Sequence, residues 1–87
     1  MDLAALVLRI GHSHFISATT GEAAQAEIAR LAGQPIDSAA FAAAIADLLH
    51  NGLIRDPIRL DAQALQCHWR LELTPQGVAR VGRLTGA

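Results

Sequence analysis

The chain has 87 residues, 52% of them hydrophobic, a formal net charge of −1 and no lysine, so that every basic side chain is an arginine. This length sets one domain with one modest core, since folding at this size buries roughly 60–65% of the surface of the unfolded chain. A near-neutral total excludes a polycation that would bind nucleic acid by bulk charge alone.

The charge is unevenly divided. Residues 1–51 carry Arg9 and Arg30 against Asp2, Glu22, Glu27, Asp37 and Asp47, a net of −3, whereas residues 52–87 carry five arginines against Asp56, Asp61 and Glu72, a net of +2. An anionic partner would therefore meet the C-terminal half. The single cysteine, Cys67, excludes an internal disulfide framework and fits a reducing, cytoplasmic setting. The apolar stretch from Leu3 to Ile10 is too short to span a membrane and has no basic start followed by a cleavage site. Much of the apolar content is alanine, and the aromatics are Phe15, Phe41 and Trp69, so the core must come from Leu, Ile and Val. Burial in a dimer or complex would add to the stability of so small a core.

In chain order, Leu3, Leu6, Val7 and Ile10 recur at helical spacing and predict a helix over 2–12, with Asp2 as cap and Gly11 near the end. His12 to Ser17 reads as an extended connector. Thr19 followed by Glu22 is a capping-box pattern for a helix over 20–32, whose inward face is Ala24, Ile28 and Leu31 and whose stop is Gly33 before Pro35. Asp37 is the expected N-cap of a third helix over 38–51, with Phe41, Ile45, Leu48 and Leu49 inward and a left-handed stop at His50-Asn51-Gly52.

The period then changes to two. In the strand predicted over 53–60, Ile54, Ile58 and Leu60 share the inner face and Arg55, Pro57 and Arg59 the outer. In the strand predicted over 65–73, Leu65, Cys67, Trp69, Leu71 and Leu73 alternate with Gln66, His68, Arg70 and Glu72. Residues 61–64 join the two as a hairpin loop, and Pro57, lacking an N–H, suits the hairpin's outer edge. Thr74 caps a last helix over 75–84 with Pro75 at its first position and Val78, Val81 and Leu84 as its stripe. The expected class is α+β, mostly helical: three helices, a two-stranded hairpin and a final helix.

Two phrases in this order resemble a winged helix-turn-helix domain of the bacterial regulator kind, MarR-like in the broad sense. Leu48-Leu49-His50-Asn51-Gly52-Leu53-Ile54-Arg55 is similar to the end of a recognition helix running into a wing strand. Leu71-Glu72-Leu73-Thr74-Pro75-Gln76-Gly77 is similar to the second wing strand entering a capped helix. The likeness spans residues 16–84. It implies a transcription regulator that lays its third helix in the DNA major groove and its wing beside the phosphates.

The third helix departs from that pattern. Its positions outside the core stripe are Ala39, Ala40, Ala42, Ala43, Ala44, Ala46, Asp47 and His50, and base edges are read by Arg, Asn, Gln or hydroxyls. Only Ser38 and His50 are candidates for such contacts, and Asp47 would repel phosphate. The wing is richer. Pairing symmetrical about 61–64 sets Arg55 opposite Arg70 and Arg59 opposite Gln66, and two like charges face to face are unfavourable unless an anion lies between them. The plainer alternative is that these arginines splay into solvent. The same register sets Asp56 opposite Trp69, pointing inward toward the indole N–H.

His12, His14, Cys67 and His68 match no zinc-module spacing, and Cys67 reads as a small buried hydrophobe. Trp69 reads as core rather than as a binding anchor. No nucleophile–base pair, paired acids or phosphate-binding loop is found, so neither catalytic residue, metal nor cofactor is assigned and the chain reads as non-enzymatic. Two functions follow. In the first, DNA is contacted through Arg55, Arg59 and Arg70, with Ser38 and His50 as base contacts. In the second, a protein partner docks on the alanine face of the third helix, at Ala39, Ala40, Ala43 and Asp47. A homodimer through the first and last helices suits either function.

Overall fold

A computed structural model of the chain describes residues 3–61 and 66–84, with side chains for all of these except 59–61, 66, 67 and 84. The elements in order are α1 (Leu3–Ser13), β1 (Ile16–Ala18), α2 (Gly21–Ala32), α3 (Ser38–His50), β2 (Ile58–Asp61), β3 (Gln66–Leu71) and α4 (Pro75–Leu84). The fold is α+β and mostly helical, with four helices and an antiparallel β2–β3 hairpin. Calls on Asp2, on the 62–65 part of the loop, and on the side chains of Arg59, Leu60, Cys67 and Leu84 lie outside what is described.

Local chemistry sets the helix ends. Thr20 sits in extended conformation (φ −138°, ψ 160°) and accepts the Ala23 N–H at 3.1 Å, so the α2 cap is Thr20 and not the expected Thr19. Thr19 lies one residue too early for its oxygen to serve the first turn. Gly33 closes the helix at φ 73°, where its own N–H reaches the Arg30 carbonyl and that of Gln34 reaches Ala29. Asp37 caps α3 by accepting the Ala40 N–H at 3.0 Å. At the other end Gly52 turns at φ 69°, and the Leu53 N–H returns to the Leu48 carbonyl at 3.0 Å.

The core joins Val7 and Leu8 of α1, Ile16, Ala24 and Ile28, Phe41, Ala44, Ile45 and Leu48 of α3, and Trp69, Leu71 and Val81. Several expected stripes are rotated. In α1 the buried residues are Ala4, Val7, Leu8 and Ile10, with Leu3 and Leu6 only partly covered, because α1 packs on α3 and α4 on two sides. Gly11 lies within α1, which runs two residues further, to Ser13, and a Cβ there would press into the Leu71 side chain. In α3, Ala44 is buried and Leu49 is 37% exposed, the reverse of the expected assignment. Leu49 is roughly 100° round the helix from Leu48, which carries it past the edge of the buried face. In α4, Val81 is buried but Val78 is 47% exposed, because Gly77 takes the close approach to Leu53. The α1 and α4 helices, expected to carry a homodimer, pack against each other within the chain.

The sheet has three strands in the order β1-β3-β2. The stretch expected as a connector therefore contains an edge strand, Ile16–Ala18, paired antiparallel with Leu71–Trp69. The β2 strand begins at Ile58, not residue 53, and residues 54–57 touch β3 through an isolated bridge, Ile54 to Leu73. The hairpin pairs Ile58 with Trp69, Arg59 with His68, Leu60 with Cys67 and Asp61 with Gln66. This register is two residues away from the symmetrical one.

Candidate functional site

The shifted register separates the charges expected to form an anion clamp. Arg55 lies beside Glu72, whose carbonyl accepts the Arg55 N–H at 2.9 Å, rather than opposite Arg70. Arg70 gives its N–H to the Pro57 carbonyl at 2.8 Å on one side and pairs with Ser17 on the other. Its guanidinium stands 3.9 Å from the Glu72 carboxylate and 6.0 Å from the centre of the Phe15 ring. Arg59 opposes His68, not Gln66. Arg55 thus stands opposite Glu72 with Arg70 as a diagonal neighbour, and the Glu72 carboxylate lies beside Arg70.

Asp56 does not face Trp69 either. It is exposed, and its Oδ1 accepts the Ile58 N–H at 3.0 Å, a local turn contact that holds the carboxylate outside. Pro57, expected on the outer face, is buried, because the chain bends there before β2 begins. Ser38 is exposed and accepts a hydrogen bond from Gln25 Nε2 at 3.2 Å, while the same amide reaches the Ile36 carbonyl at 2.8 Å. This ties the α2–α3 turn together. His50 is exposed at the end of α3.

The four residues expected to bind protein lie on the α1 side of α3. All four are exposed; Ala40, Ala43 and Asp47 border the N-terminal end of α1, beside Leu3 and Ala4, and Ala39 lies one turn before Ala43 on the same face of α3. Asp47 also accepts from Asn51 Nδ2 at 3.1 Å, which braces the end of α3.

On the other flank of α3 is a groove of about 470 Å³, between α3, the start of α2 and the chain entering β2. Its apolar lining includes Phe41, Ile45, Leu49, Ile58 and Trp69, with Ala42 and Ala46 as the α3 wall. Phe41 and Trp69 meet with ring centroids 5.9 Å apart and planes tilted by 37°, forming a rigid floor. A Cβ on Gly21 would stand 3.5 Å from Trp69 Nε1, so α2 begins directly beside the indole.

Ile58 is the residue that defines this site. Its cross-strand partner is Trp69, which is 8% exposed and belongs to the core, yet Ile58 itself is 63% exposed. The alternation assigned Ile58 inward correctly. At its end of the sheet, however, no helix among the described residues covers it. Sequence reasoning missed Ala42, Ala46, Leu49 and Ile58 as site residues. The readable signal was the excess of apolar positions on α3, six of them beyond one buried stripe when the five alanines are counted with Leu49.

The acids Glu22 and Asp56 also line the groove, and no arginine or histidine does so among the described residues. Among those same residues no three His, Cys, Asp or Glu side chains come together in a way that could hold a metal. No helix among them is long and apolar enough to cross a membrane. No protein family, curated protein or solved structure matches the chain.

Proposed function

We propose that the chain is a non-catalytic winged-helix module that docks a protein partner in the groove beside α3. The order of helices, with the β2–β3 hairpin before α4, supports the winged-helix reading, the hairpin being the wing. The observation that carries the docking function is Ile58, a residue on the core-facing side of the sheet that is 63% exposed beside the Phe41–Trp69 floor. An apolar patch built from large side chains and left open is a surface that gains free energy when a partner covers it.

The DNA reading loses its main support in the register, since Arg55 and Arg70 do not face each other. Between Ser38 and His50 at its two ends, the would-be reading helix exposes alanines, Leu49 and Asp47, with Glu22 and Asp56 on its flank. Carboxylates in that place oppose the approach of phosphates.

The test is position-specific photo-cross-linking in cells that make the protein. A photoreactive residue at Ala42, Ala46 or Ile58 should form an adduct with the same polypeptide, absent when the probe is at exposed Gln34. That adduct should disappear when Leu49→Arg is added to the Ala46 probe. Adducts removed by nuclease, or equal labelling at Gln34, would overturn the proposal and return DNA to the front.

A further inference from the structure

Resting on that docking reading, we infer that the groove takes an amphipathic helix of another protein, with an apolar stripe flanked by arginine or lysine. Three observations lead there. The floor is apolar and aromatic, so the occupant must bring an apolar stripe. The charged side chains lining the groove are Glu22 and Asp56, both carboxylates, which favour cationic flanks and disfavour acidic ones.

The third observation sets the occupant's conformation. An extended segment would dock by adding to the free edge of β2, which requires open N–H groups along that edge. At the groove, Pro57 turns its carbonyl toward β3, where it accepts the Arg70 N–H, and the edge-facing Ile58 N–H is already taken by Asp56 Oδ1 at 3.0 Å. The first edge donor of β2, beside the apolar floor, is therefore occupied. A helix satisfies its own backbone and needs only side-chain contact. The small side chains of Ala42 and Ala46 let its axis come close to α3.

A displayed library tests this. Helices of about 18 residues, long enough to hold a helical stripe, carry a fixed Leu/Ile pattern, with flanking positions randomised among Arg, Lys, Gln, Glu and Asp. Selection uses the intact protein, with counter-selection on Ala46→Arg. The enriched sequences should carry basic flanks. Their binding should shift the emission of Trp69, the chain's only tryptophan, in a saturable way. The E22Q/D56N double variant, which keeps an acceptor oxygen for the Ile58 N–H, should weaken binding roughly tenfold with an unchanged melting temperature. Binders sensitive to Ala46→Arg but flanked by acidic or neutral residues would overturn this inference and leave the docking reading intact. A library that gives no binder sensitive to Ala46→Arg would overturn both.

Discussion

Thr74 joins two segments distant in sequence with a single hydroxyl. It donates to the Gly52 carbonyl at 2.6 Å and accepts the Gly77 N–H at 3.1 Å, while its own N–H reaches the Leu53 carbonyl at 3.1 Å. The helix stop after α3 and the helix start of α4 are thereby one interlocked corner. Thr74→Val should cost about 1–3 kcal/mol, from a lost cap and a part-buried acceptor left unpaired, while Thr74→Ser should restore most of it. Gly77→Ala should be worse. A Cβ there would fall on the Leu53 carbonyl oxygen and stand 3.3 Å from the Leu73 Cβ, so backbone must move, at about 2 kcal/mol or more. Urea unfolding reads both values, and a Gly77→Ala protein as stable as the wild type would contradict the described corner.

A milder effect sits on α2. The Arg30 side-chain hydrogen bonds hold the Glu27 carboxyl below its ordinary range, with Arg30 Nε at 3.1 Å from Glu27 Oε2. Because the folded pKa is depressed, this contribution is present above the unfolded value and lost as pH falls through the folded one. Both side chains are solvent-exposed, so salt should weaken it. An NMR titration of Glu27 in low and high salt should show the depression shrink in high salt, and Arg30→Gln should abolish it.

At the scale of elements, the structure separates what is encoded locally from what is not. Asp37, Gly33, Gly52 and Thr74 mark helix ends within a few residues of themselves, so the starts and stops of α2 and α3 and the start of α4 were legible to within about a residue. The hairpin register was not. Residues 61–64 lack a turn-specific pair such as Asn-Gly, and the pairing is instead set by how Trp69, Leu71 and Ile54 meet the helices. A two-residue shift preserves the inner and outer faces, so the alternating pattern fits either register equally well. β1 escaped for a related reason, since three residues become a strand only through pairing with β3, over fifty residues later. The groove was half legible: Trp69 and Phe41 read as core, but Leu49 and Ile58 also read as core because nothing in the pattern tells which apolar residues will lack a cover.

Those assignments predict opposite costs for two neighbours on one sheet face. Trp69→Ala should cost about 3–5 kcal/mol through the cavity it leaves against Phe41. Ile58→Asp, at a site 63% exposed, should cost less than about 1 kcal/mol while abolishing partner docking. Thermal and urea unfolding of the two variants would show the contrast, and an Ile58→Asp protein as damaged as Trp69→Ala would mean that Ile58 is core after all. The Arg55→Ala/Arg70→Ala pair should change stability by less than about 1 kcal/mol, both being exposed, and leave docking of the partner helix unaltered.

For the whole molecule, a formal charge of −1 gives no long-range pull toward nucleic acid, and the distribution sharpens this. The α3 flank and the mouth of the groove carry Glu22, Asp47 and Asp56, while Arg55 and Arg70 lie near Glu72 on the hairpin. The scaffold presents four helices and an antiparallel hairpin, with the exposed apolar side chains of Leu49 and Ile58 beside α3. What α3 lacks in polar side chains it has in small and branched apolar ones, and those continue across Trp69 to Ile58. The groove beside α3, rather than the hairpin, is the surface proposed to be occupied. Amide and indole chemical shifts, followed while a selected basic-flanked helix and then a DNA duplex at low salt are titrated in, test it most directly. Shifts are expected at Ala42, Ala46, Leu49, Ile58 and the Trp69 indole with the helix, and none with DNA. Shifts clustered at Arg55, Arg59, Arg70, Ser38 and His50 on adding DNA, with the groove unmoved by the helix, would contradict it.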